Sequence, residues 1–126
     1  MTEKAQTFAK GASFLIVEDD ALIVMMIEFM LNEAGAQSIA VANSVAEATS
    51  LIEANVFDVA IFDRQLRDGV SYPVAILARE RGTAIIVASG SNALDLPDEL
   101  ADVIVLPKPF EGHQLEEAVA AALERR

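Results

Sequence analysis

A chain of 126 residues, 53% apolar, with a mean hydropathy of +0.37 and no break in composition, suits one packed domain and is too apolar for disorder despite a net charge of -11. That charge, with only nine scattered Lys and Arg, weighs against nucleic acid as the main partner, and no run reaches the roughly 18–20 apolar residues of a membrane span, so neither nucleic-acid binding nor membrane insertion is expected. The absence of Cys removes disulfides and thiolate metal sites and agrees with a reducing, cytoplasmic setting.

Residues 1–12, MTEKAQTFAKGA, lack the apolar core of a secretory signal and read as a flexible N-terminal extension ahead of a domain over 13–126. FLIV at 14–17 is the first of five strand-length apolar runs, and a helix over 21–34 follows, capped by Asp19 and Asp20 and ended at Gly35. SIAVA at 38–42 precedes a helix over 44–55, with Asn43 or Ser44 as cap and Val45, Ala48, Leu51 and Ile52 at helical spacing. VAIF at 59–62 runs into Asp63, and a third helix spans 71–81. After AIIVA at 84–88, Pro97 interrupts the only helical stretch before the last strand, so the fourth helix is expected to be short or irregular. VIVL at 103–106 is the fifth strand, and a helix over 112–125 aligns Leu115, Ala118, Val119, Ala122 and Leu123.

The five runs are continuous rather than alternating, as in strands buried on both faces by helices. Strand–helix alternation then implies an α/β fold, a flavodoxin-like three-layer sandwich whose five-stranded parallel sheet takes the order 2-1-3-4-5. Ligands of such sheets bind outside the carboxyl ends of the central strands. Those ends carry Glu18, Asp19 and Asp20, then Asp63, Ser89 and Lys108. Gathered carboxylates raise one another's pKa unless a cation neutralises them, and a set of oxygen ligands without His or Cys favours Mg²⁺, with Mn²⁺ as a substitute. Such a metal recruits phosphate. Asp63 would be the nucleophile toward a phosphoryl donor, with Lys108 and the Ser89 hydroxyl stabilising the equatorial oxygens.

The motifs FLIVEDD, DVAIFDRQL, IIVASG and LPKPF, in this order and spacing, resemble the receiver domains of two-component response regulators from residue 14 to the end. The resemblance implies that Asp63 is the phosphoacceptor, that Asp19, Asp63 and the Gln65 backbone carbonyl hold Mg²⁺ with Glu18 acting through water, and that Lys108–Pro109 is cis. It also implies a phosphohistidine donor on a histidine kinase or phosphotransfer protein. Two departures stand out. Val105 occupies the place of the family's usual switch aromatic, and RDGVSYPVA replaces the usual loop after the acceptor. Ser89-Gly90 is similar to the Thr-Gly of a divergent alphaproteobacterial group of single-domain receivers.

Other residues have plainer readings. His113, the sole histidine, reads as a solvated side chain at a helix start, and Met25, Met26 and Met30 read as core. Arg64 is either a surface charge or a screen for incoming phosphate, and the Gln65 side chain either hinders a hydrolytic water or faces solvent. The first helix has two apolar stripes, Leu22, Met26 and Phe29 on one and Ile23, Ile27, Met30 and Ala34 on the other. One stripe suffices for the sheet, so the Ile23 and Ile27 stripe is expected to dock a phosphotransfer partner or a second copy.

The resulting expectation is a stand-alone, Mg²⁺-dependent aspartyl-phosphate switch with no room for an output domain, and not a metabolic enzyme. One alternative is a degenerate receiver that binds partners without phosphorylation. The other is a Mg²⁺-dependent phosphohydrolase, disfavoured because Gln65 stands where its second acid would be and no lid exists.

Overall fold

A computed structural model describes residues 7–90 and 95–125. Its centre is a parallel sheet of β1 (Ser13–Val17), β2 (Ser38–Ala42), β3 (Val59–Asp63), β6 (Ala84–Ser89) and β7 (Ile104–Pro107), in the order β2-β1-β3-β6-β7. This is the expected 2-1-3-4-5 arrangement, with a short antiparallel hairpin, β4 (Gln65–Leu66) and β5 (Gly69–Val70), inserted after the third strand.

Side chains alternate across a strand, so each continuous apolar run feeds two cores. Phe14 and Ile16 pack with α1 (Ala21–Glu33) and α4 (Gly112–Arg125), while Leu15 and Val17 pack with α2 (Val45–Ala54) and α3 (Tyr72–Glu80). The helix ends follow local chemistry. Asp20 accepts the Leu22 and Ile23 amides at the start of α1, and Ser44 accepts the Glu47 amide while Glu47 reaches back to the Asn43 amide. Asp68, at the hairpin tip, accepts the Val45 and Ala46 amides at 2.8 and 3.2 Å and so caps α2 from outside. Where a fourth helix was expected, the described residues form a 3-10 turn, Asp98–Leu100, beginning after Pro97.

Three sequence expectations need correction. Residues 7–12 are not a loose extension: Ala9 and Ala12 are fully buried, and the Ala9 and Gly11 amides bond to the carbonyls of Ala34 and Gly35. Gly35 sits there at φ +94, and a Cβ on it would meet the Lys10 Cα at 3.2 Å, so the contact depends on glycine. Residues 1–6 lie outside the described residues. The stripes of α1 are reversed, because Ile27 is 2% exposed and Ile23 and Met30 pack against the core, whereas Leu22 and Phe29 are 77% and 67% exposed. Met25 and Met26 are also exposed, so of the three core methionines only Met30 packs inward. The helix is apolar almost all round, and the side facing the sheet is set by Val24, Ile27 and Leu31.

Candidate functional site

The β1, β3, β6 and β7 strands end side by side, and parallel pairing aligns the residues just beyond them. Asp63 pairs with Ala88 and Ser89 with Pro107, so the Asp63 carboxylate, the Ser89 hydroxyl and Lys108 stand on adjacent strand ends. The Lys108 amide donates to the Ser89 carbonyl at 2.9 Å, continuing that pairing past β7. The Lys108–Pro109 peptide is cis. Asn43 donates its side-chain amide to the Glu18 carbonyl, fixing the turn out of β1.

Lys108 Nζ lies 3.0 Å from Glu18 Oε1 and 3.2 Å from Asp63 Oδ1, one ammonium bridging two acids. Oxygens of Glu18, Asp19 and Asp63 lie within 4.8 Å of one another. Asp20, the third acid of the run, is spent on the helix cap. Burial pushes the Glu18 carboxyl above the ordinary glutamate range, and the Asp63 charge adds to it against the pull of Lys108 and the Asp20 amide. Burial opposes the Lys108 charge, yet the hydrogen bond to Glu18 and the Asp63 carboxylate outweigh it and hold Lys108 above ordinary lysine. One ammonium thus serves two carboxylates of a cluster of three. A hard divalent cation on those oxygens fits this donor set.

Matches to a family model run over residues 14–120, and the family is the response regulator receiver domain. This chain belongs to it. The receiver is 31% identical over 121 residues to the transcriptional regulatory protein YvrH of Bacillus subtilis, covering 92% of this chain and 51% of that protein. It is 33% identical over 116 residues to the transcriptional regulatory protein PdtaR of Mycobacterium tuberculosis, covering 88% and 56%. The chain thus spans about half the length of these curated relatives. A solved response regulator receiver protein from Sinorhizobium medicae superposes with a TM-score of 0.82 at 28% identity, covering 90% of this receiver and 95% of that chain. The family is a signalling module rather than a metabolic enzyme, and its members generally bind Mg²⁺ at an acidic pocket such as this one.

Of the residues singled out from sequence, Glu18, Asp19, Asp63 and Lys108 converge, with buried Ser89 beside them. Gln65 opens the hairpin two residues past Asp63, exposed, its side chain turned onto the Leu66 carbonyl. His113 is solvated, as anticipated, 3.5 Å from Glu111. Sequence reasoning missed the partners of Arg64. Its Nε donates to the Tyr72 hydroxyl at 3.2 Å, and Nη2 reaches both oxygens of Asp95 at 3.1 and 3.3 Å. Asp95 lies 31 residues away, and no local spacing signals that pairing. A separate cavity of about 580 Å³ opens at the amino ends of β6 and β7, lined by Arg79, Thr83, Asp102 and Arg125, at the opposite ends of the strands from the acids.

Proposed function

We propose that this receiver accepts a phosphoryl group on Asp63 from a phosphohistidine of a histidine kinase or phosphotransfer protein, in a Mg²⁺-dependent reaction, and signals through protein contacts. The observation that carries this reading is Asp63 at the end of a buried strand, with Lys108 on its Oδ1 and Glu18 and Asp19 sharing its oxygen cluster. An Asp63 carboxylate oxygen attacks phosphorus in line, the new O–P bond forms as the P–N bond breaks, and the electron pair returns to the imidazole nitrogen, which takes a proton from solvent. Lys108 and the Ser89 hydroxyl stabilise the negative equatorial oxygens. Asp19, Asp63 and the Gln65 carbonyl would hold Mg²⁺, with Glu18 assisting through water, and the ion would supply charge neutralisation for the transfer. Hydrolysis of the acyl phosphate by water restores the carboxylate and releases inorganic phosphate.

The exposed α1 face, Leu22, Met25, Met26 and Phe29, is an apolar surface suited to the helices that present a phosphohistidine, with a second copy of this chain as the competing occupant. Among the described residues no helix is long and apolar enough to cross a membrane, and a cytoplasmic site of action fits the proposed donor. The second reading, a receiver that binds partners without phosphorylation, draws on Val105, which is exposed on β7 where the family carries its switch aromatic. Transfer from a phosphorylated histidine phosphotransfer protein separates the two. Loss of label from the donor with gain on this chain, abolished by Asp63→Asn, supports the acceptor role; binding of the donor without transfer favours the second reading.

A further inference from the structure

The chain lacks the aromatic on β7 that would report the state of Asp63, yet the residue after Asp63 is tied to its surroundings through backbone and side chain alike. The Arg64 amide donates to the carbonyl of Ala88, the residue before Ser89, at 3.2 Å. Its carbonyl accepts the amide of Ser71, which begins α3, at 2.9 Å. Its guanidinium holds the Tyr72 hydroxyl and both oxygens of Asp95, and Tyr72 itself donates to Asp95 Oδ1 at 3.4 Å. One residue therefore joins the acceptor strand, the strand of Ser89, the start of α3 and the segment that leads into the 3-10 turn. Farther along that segment, Asp102 is fixed by Arg79 Nη1 at 2.7 Å and by Arg125, which donates to its carbonyl.

We propose that Arg64, Tyr72 and Asp95 form a latch that holds the segment before the 3-10 turn in the unphosphorylated receiver and opens when Asp63 is phosphorylated. This rests on the acceptor reading above. The Arg64–Asp95 pair is solvent-facing, with side chains 31% and 69% exposed, and exposed pairs are weak enough to be exchanged. Phosphorylation of Asp63 converts its singly charged carboxylate into an acyl phosphate carrying about one more negative charge, on the residue directly preceding Arg64 in the chain. Guanidinium binds phosphoryl oxygens bidentately and more strongly than an exposed carboxylate, so Arg64 gains a competing partner and Asp95 loses its own. Arg79 and Arg125 keep the far end anchored, which confines the released part to the stretch from Asp95 toward the 3-10 turn.

The chain supplies its own reporter, since Tyr72 is the sole tyrosine and there is no Trp. A phenol hydrogen-bonded to a carboxylate is quenched by proton transfer in the excited state, so opening the latch should raise tyrosine emission. The experiment follows that emission after adding phosphoramidate and Mg²⁺, with intact mass read on the same sample. The expected result is an emission rise that tracks the fraction of adduct. In Asp95→Asn, emission starts high and does not respond, although the adduct still forms. Adduct formation with unchanged emission in the wild type, or a full rise in Asp95→Asn, overturns the latch and leaves the acceptor role standing. Failure of any adduct to form removes the acceptor reading and the latch with it.

Discussion

The two faces of α1 give the sharpest contrast between folding and recognition. Ile27 is 2% exposed and packs in the cluster of Phe14, Ile16 and Leu31, so Ile27→Ala removes a buried branched side chain and leaves a cavity, at a cost of about 2–5 kcal/mol. Better helix propensity returns up to about 0.5 kcal/mol, leaving a net loss of about 2–4. At roughly 3–5 °C per kcal/mol for a domain of this size, the melting midpoint should fall by about 6–20 °C, and the urea midpoint by about 1–2 M. Phe29 is 67% exposed; Phe29→Ala gives up about a third of a buried phenylalanine and regains propensity, so its stability should stay within about 0.5 kcal/mol of wild type. Transfer from a phosphohistidine donor should invert the ranking, with Phe29→Ala slowed about 5- to 30-fold as an interface anchor and folded Ile27→Ala nearly normal. Urea titrations and transfer rates on both variants decide it. A stable Ile27→Ala beside a strongly destabilised Phe29→Ala would mean that the core face of α1 has been misassigned; equal transfer rates for wild type and Phe29→Ala would remove the docking surface.

Other expectations concern the site and its supports. Lys108→Ala deletes the ammonium that shares the oxygens of Glu18 and Asp63, so Mg²⁺ should bind more tightly, by about 1–2 kcal/mol for one charge removed near a divalent ion, while phosphoryl transfer slows; metal titration checks the first and labelling the second. Asp68 has a carboxyl held below the usual aspartate range, first by the Val45 amide. A depressed folded value stabilises above the unfolded pKa and is lost as pH falls through the folded one, so Asp68→Asn should flatten the acid limb of stability below about pH 4 in a thermal-melt series. Ser71 begins α3 without a side-chain cap bond, and its buried Oγ has no partner among the described residues, so Ser71→Ala should be neutral or stabilising by up to about 1 kcal/mol, where an ordinary cap would cost about that much.

The sheet order was legible because each apolar run is continuous and each gap has helical spacing, and the site was legible because carboxylates, a hydroxyl and an amine stood at the ends of those runs. The features that escaped did so for physical reasons. Residues 7–12 are held by backbone hydrogen bonds and two alanines, which leave no apolar pattern to read. The faces of α1 were interchanged because Leu, Ile, Met and Phe occupy both sides, and only burial separates them. The hairpin at 65–70 did leave a signal: the glycine after Asp68 opens β5 opposite Leu66 at φ +142, a conformation that favours glycine. Arg64 and Asp95 carry ordinary surface charges whose pairing exists only after β3 and β6 lie side by side.

The acceptor role itself is tested most directly by intact mass after incubation with acetyl phosphate or phosphoramidate, with and without Mg²⁺, on wild type and Asp63→Asn. A phosphoryl adduct that requires Mg²⁺ and is absent from Asp63→Asn is the predicted result. An adduct that persists in Asp63→Asn, or none in the wild type with either donor or with a phosphorylated histidine protein, would contradict it.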